Sequence, residues 1–247
     1  MTTYMDYTSP GTQFTFDVNQ NTIYKKDPSN FINELSINQL NTLENLSLLD
    51  IFLSRSNVIE PHYHQNAAEL IYCICGSLVV SVLNPFSLEL LHFPICPGQV
   101  VNIPQGWWHY ELATADNTHI LAIFDAPVPD TIYGSDLLRL TPSNVLAYTY
   151  CLDEAKVRDT LSPIKETTVL GPPADCCQQG PIQNTMKMNN KAHPYVSQPA
   201  QQGYGTQPYV SPPMNSGQDY NQGYTQQYLQ QPYVQPTLYS QYPGTQV

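Results

Sequence analysis

Short apolar runs separated by turn residues fill the first two thirds of the chain. Residues 46–53, 70–74, 78–83, 88–93, 100–103, 107–112 and 118–124 are such runs, each 4–8 residues long. That length, and the breakers between them, predict strands rather than helices. The breakers stand where turns are needed: Gly76-Ser77, Asn84-Pro85, Pro94, Pro97-Gly98, Pro104-Gln105-Gly106, Asp116-Asn117, Pro127 and Pro129. Seven or more short strands with no helix between them predict an all-β, antiparallel sandwich or barrel. Past the strands, Thr141-Pro142-Ser143 reads as a helix start, with a threonine cap and proline in the first turn. A second short helix is predicted over residues 153–161, and both are expected to pack outside the barrel as a clasp. A further helix is expected around residues 32–40, within an N-terminal extension of residues 1–44.

Composition changes near Gly171. Residues 171–247 hold 16 Gln, 11 Pro, 9 Tyr and 7 Gly, without Phe or Trp. Such a segment has too little apolar area to offset its chain entropy and is expected to be a disordered tail. It repeats short phrases irregularly: Pro194-Tyr195-Val196-Ser197, Pro208-Tyr209-Val210-Ser211, Pro232-Tyr233-Val234-Gln235. The tail reads either as a solubilising extension or as an attachment segment for a larger assembly. The folded portion is then residues 45–170.

Charge narrows the partners. The 247 residues carry 9 Lys plus Arg against 20 Asp plus Glu, a net charge of −11. A chain with no basic footprint is not expected to bind nucleic acid or an anionic membrane surface. Residues 1–6 show neither a basic nor an apolar leader segment, so synthesis and retention in the cytoplasm are expected, at least at first. The six cysteines form no secreted disulfide framework and are expected to be thiols. Cys73 and Cys75, two apart on one run, are expected to share a strand face.

Candidate chemistry lies in two stretches, Pro61-His62-Tyr63-His64 running to Glu69, and Pro104-Gln105-Gly106-Trp107-Trp108-His109. His62 and His64 are two apart, so on a strand both imidazoles face one side. Glu69 opens the next run and can face them across a turn, and His109 opens another strand. Three imidazoles and one carboxylate facing a barrel interior make a mixed nitrogen and oxygen site, with open positions on an octahedral Mn2+ or Fe2+. Glu111 alternates onto the same side as His109. It is read as an acid or base, as a hydrogen-bond acceptor behind the ligands, or as a carboxylate facing water at the barrel mouth. Trp107 and Trp108 are expected at the barrel mouth or a dimer face; His92 and His119 read as ordinary strand residues.

These stretches resemble the two motifs of the cupin superfamily. His62-Tyr63-His64, Glu69 and, after six residues, Gly76 fit the first; Gly98, Pro104, Gly106 and His109 fit the second. Ser56 stands where the first motif has its leading glycine, and Ala113 where the second often ends in asparagine. The resemblance implies a double-stranded β-helix (jelly-roll) barrel with short flanking helices and a homodimer formed through it. It also implies a manganese site at His62, His64, Glu69 and His109.

Within cupins, residues 45–165 resemble one half of the bicupin oxalate decarboxylases, which implies a small carboxylate as ligand. Two departures bear on catalysis. Ile59 stands where those enzymes hold substrate with an arginine, and residues 126–133 lack their lid glutamate, Asp130 being the only acid there and, with Glu111, a candidate for proton transfer. Two functions are therefore expected: a metal-dependent enzyme acting on a small carboxylate, or a non-catalytic cupin anchored by its tail in a multiprotein layer such as a bacterial spore coat.

Overall fold

The computed structural model describes residues 5–176. Twelve strands form two sheets. A single 3-10 turn, Val18–Gln20, leads into β1 (Thr22–Asp27), β2 (Asn30–Leu35), β3 (Ser47–Leu53), β4 (Val58–His64), β5 (Glu69–Cys75) and β6 (Leu78–Asn84). Then come β7 (Glu89–Ile95), β8 (Val100–Ile103), β9 (His109–Ala113), β10 (Thr118–Phe124) and β11 (Thr131–Tyr133). Helices α1 (Gly134–Leu140), α2 (Ser143–Tyr150) and α3 (Glu154–Leu161) follow, and β12 (Leu170–Gly171) closes the fold. One sheet runs β1-β2-β3-β10-β5-β8 and the other β11-β4-β9-β6-β7, with β12 added on β4. Every pairing is antiparallel. Among the described residues no helix is long and apolar enough to cross a membrane.

The alternation that predicted the strands is visible in their burial. On β10, Thr118, Ile120, Ala122 and Phe124 face inward. They join Ile51, Leu53, Ile71, Leu78, Val80 and Ile103 in one core between the sheets. Burying a Leu, Ile or Phe side chain is worth about 1.5–3 kcal/mol each, so this core carries most of the fold's stability. Gly76 turns β5 into β6 at φ +74°, and a Cβ there would stand 2.5 Å from the Thr118 hydroxyl and 2.6 Å from its Cα. Only glycine lets the two chains approach that closely. Ser56, at the motif's leading glycine position, keeps the left-handed backbone, at φ +67°.

Two bulges reset which side chains face inward. On β4, Ile59 pairs with Glu111 and His62 with His109, so three residues of β4 span two of β9. The extra residue puts Ile59 and His62 on the same inner face and turns the Glu60 side chain outward. On β5, Cys73 lies opposite Ile120 and Cys75 opposite His119, so two steps there match one on β10. Cys73 and Cys75 therefore do not share a face: Cys73 is buried and Cys75 exposed. The five described cysteines are free thiols. His92 bonds Ser81, and His119 pairs with Asp50 at 2.6 Å while stacking on Phe52.

The helix expected around residues 32–40 is instead β2 followed by a single helical turn, with the Leu40 amide on the Ser36 carbonyl. Phe31, Ile32 and Leu35 have helical spacing. The free edge of β3 offers them a ladder, and β-branched and aromatic side chains fit a pleated surface better. Thr141 caps backwards: its hydroxyl donates to the Leu137 carbonyl at the end of α1, and α2 starts without a side-chain cap. Asp153 caps α3 through the Lys156 amide. The expected tail beyond residue 176 lies outside the described residues.

Glu60 ties these parts together. Its carboxylate accepts from the Ser135 amide and hydroxyl, both at 2.8 Å, and from the Thr168 and Val169 amides at 3.1 and 2.8 Å. One buried carboxylate on β4 thus caps α1 and pins the chain entering β12. Glu60→Ala would leave those donors without their acceptor. A loss of about 3 kcal/mol is expected, read as a lower urea midpoint at unchanged m-value. A loss under about 0.5 kcal/mol would show that the staple does not hold the clasp.

Candidate metal centre

Three strand beginnings and ends meet inside the barrel. His62 and His64 end β4, Glu69 begins β5 and His109 begins β9. All four side chains are buried, and one donor atom from each lies within 4.8 Å of every other. Glu69 Oε2 stands 2.8 Å from His109 Nε2 and 3.4 Å from His64 Nε2. The rings pack together, His62 against His109 with centroids 4.1 Å apart, and Phe124 edge-on to His64 at 4.7 Å.

Each ring is oriented by the backbone. Nδ1 of His62 lies 2.7 Å from the Glu60 carbonyl, Nδ1 of His109 2.8 Å from that of Trp107, and Nδ1 of His64 3.1 Å from that of Asp130. A carbonyl only accepts, so Nδ1 carries the proton in every ring. A ring that is neutral in this tautomer aims a bare Nε2 lone pair at the shared space, the arrangement by which outer groups prepare histidine ligands. Nε2 of His64, Nε2 of His109 and Oε2 of Glu69 are buried and meet one another, with no further hydrogen-bond partner. Lone pairs converging in a dry cavity repel one another unless a cation sits among them. The donor set therefore fits a divalent ion, and it leaves open coordination positions.

In the ion-free protein a proton does part of the cation's work. Burial works against protonation of His109, but Glu111 and Glu69 beside it outweigh this and push its pKa up to about 9. Burial opposes the charge on Glu69, and contacts with His109 and His64 hold it well below the usual carboxylate range all the same. Burial, then the neighbouring His109 charge, holds His62 far below its usual value.

Glu111 is not at a water-facing mouth. It is 1% exposed, neither carboxylate oxygen has a hydrogen-bond partner, and Oε1 lies 3.6 Å from His109 Nε2. Burial pushes its pKa up to about 8. Asp130 contributes backbone: its carbonyl faces His64, its amide donates to Asn66 Oδ1, and its side chain is exposed. Trp107 packs against the core and Phe86; Trp108 packs beside Tyr63. Two contributors carried little or no local signal. Glu60 orients His62 by its carbonyl, and Tyr133, on β11 opposite His62, places its ring 5.9 Å away. Only a glutamate set in the apolar run before Pro61 hinted at the first.

Residues 17–158 match the family model for cupins. The chain belongs to the cupin family. A germin-like protein (subfamily 2 member 5) of Arabidopsis thaliana is 29% identical over 121 residues, 48% of this cupin and 56% of the relative. Glycinin G4 of Glycine max is 27% identical over 128 residues, 52% of this chain and 23% of that one. This cupin thus spans about half or less of the curated relatives it matches. Among solved structures, oxalate decarboxylase from Bacillus subtilis aligns with a TM-score of 0.57 at 23% identity, covering 70% of this chain and 47% of the enzyme. Procruciferin, an 11S globulin from Brassica napus, aligns at 0.61 and 21%, covering 68% and 46%. At those identities the likeness is one of fold.

Since His109 holds a proton below pH 9 that a bound ion must displace, metal uptake at pH 7 is expected to release at least one proton. Apparent affinity is then expected to rise at least about tenfold per pH unit up to that value. Calorimetry in buffers of different ionisation enthalpy counts the protons; affinity independent of pH would contradict this electrostatic picture.

Proposed function

We propose that this cupin is a metal protein that holds Mn2+, with Fe2+ as the alternative ion, at His62, His64, Glu69 and His109. One observation carries the reading: three Nδ1–H groups are tied to carbonyls, so three Nε2 atoms meet one carboxylate among buried side chains. A bound divalent ion supplies Lewis acidity, and its open positions take a small oxygen-donor ligand. The oxalate decarboxylase likeness by itself points to a small carboxylate, but the donor charge of this site decides between anionic and neutral oxygen donors.

Reaction by the oxalate decarboxylase route is not supported by this chain's residues. Ile59, at the arginine position, is buried in the core, so no guanidinium faces a substrate anion. The segment at the lid position is fastened down. Val128 and Asp130 bond Asn66, and β11 is laddered onto β4. A carboxylate would depend on the ion alone for its charge complement.

Purified protein is expected to carry close to one Mn or Fe per chain by elemental analysis, and added Mn2+ is expected to raise the melting temperature of the stripped form. His62→Ala with His109→Ala is expected to abolish both effects. No metal and no shift in the wild type would remove the reading.

The second reading is a structural role, as a dimeric block anchored by its tail in a layer such as a spore coat. It is favoured by the Gln-, Pro- and Tyr-rich composition after residue 170 and by the fastened segment over the site. Because Leu170 and Gly171 pair with β4, the informative truncation begins at residue 177. Removing residues 177–247 is expected to leave the melting temperature within about 2 °C while abolishing assembly into larger particles. Unchanged assembly would rule out anchoring by the tail.

A further inference from the structure

Glu111 is the buried acid that a four-donor site does not use. It stands two residues after His109 on β9, so its side chain enters the same interior, opposite Ile59 on β4 and Val80 on β6. Those neighbours are apolar and buried and offer it no donor. Both carboxylate oxygens lack a partner, in a side chain 1% exposed. A buried carboxyl without a partner is destabilising, and no hydrogen bond to either oxygen offsets that. Of the four donors it approaches His109: Oε1 is 3.6 Å from His109 Nε2, beside the 2.8 and 3.4 Å from Glu69 Oε2 to His109 and His64. Donors bound to one ion at about 2.0–2.2 Å stand roughly 3–4.4 Å from one another.

We propose, resting on the metal reading above, that Glu111 is a fifth protein donor to the ion, reaching it from the His109 side. The consequence is electrostatic. Three neutral imidazoles and one carboxylate leave a divalent ion with a net charge of +1, which draws an anionic ligand. A second carboxylate brings the sum to zero. Neutrality suits a site this buried and removes the attraction for a further carboxylate. Within the range of oxygen-donor ligands, the site then selects neutral ones, such as water, an alcohol or a carbonyl, over small carboxylates. The apolar Ile59 alongside, where a substrate-binding arginine would supply positive charge, acts in the same direction.

The test uses the full chain loaded with Mn2+, beside Glu111→Gln, which keeps the shape and removes the charge. Broadening of the Mn2+ magnetic-resonance lines by 17O-water counts the waters on the ion. On a six-coordinate ion, five protein donors leave one water and four leave two. One water in the wild type is expected, and two in E111Q. Mn2+ affinity is expected to fall roughly tenfold or more in the variant, and oxalate is expected to bind the loaded variant more tightly than the loaded wild type. Two waters in the wild type overturn the proposal whether or not the variant folds; so do equal Mn2+ affinities in the two proteins. Those results leave the four-donor site standing. Absence of Mn2+ binding by the wild type removes the metal reading, and the role of Glu111 with it.

Discussion

Electron pairs of like kind, forced together in a dry interior, are the constraint on which this structure turns. Burying three imidazoles and two carboxylates costs several kcal/mol per unmatched charge or orphaned polar atom. A barrel with a core of Ile, Leu, Val and Phe can tolerate such a cluster only where something positive occupies its centre. In the ion-free protein the His109 proton supplies part of that charge. A divalent ion would supply more, and would do so for every Nε2 at once. The tied Nδ1 groups keep the rings from turning to bond one another.

The fold delivers the donors by small local devices. Strand alternation places His62 beside His64, and the bulge at Glu60 and Pro61 decides which parity faces inward. Without it, either Ile59 or the histidine pair would face outward. The same bulge frees the Glu60 side chain to hold α1 and the segment before β12, while its carbonyl orients His62. Clasp and site therefore share one residue. Gly76 lets β5 and β6 close around Thr118, which keeps Glu69, at the far end of β5, in register with the core.

Much of this was legible in the sequence because it obeys short periods. The spacing of the two histidines, the turn glycines and the strand-length apolar runs each reflect a local rule, and β8 and β10 fall where the pattern puts them. What escaped was long-range. Residues 30–35 have a helical spacing that the open edge of β3 overrides. The start of α1 is invisible locally because its cap comes from Glu60, 75 residues earlier. The Cys73 and Cys75 faces differ because of a bulge that only the pairing with β10 reveals. Glu111 was recognised as an inward residue, but its isolation from water follows from the apolar side chains of β4 and β6 packed over it.

The central claim is that one divalent ion sits among Nε2 of the three histidines and the carboxylate of Glu69. Anomalous diffraction at the manganese edge, from crystals of Mn2+-loaded protein, tests it most directly. A single strong peak is expected within about 2.0–2.3 Å of all four donor atoms. A peak elsewhere, or none with the rings turned to bond one another, would contradict it.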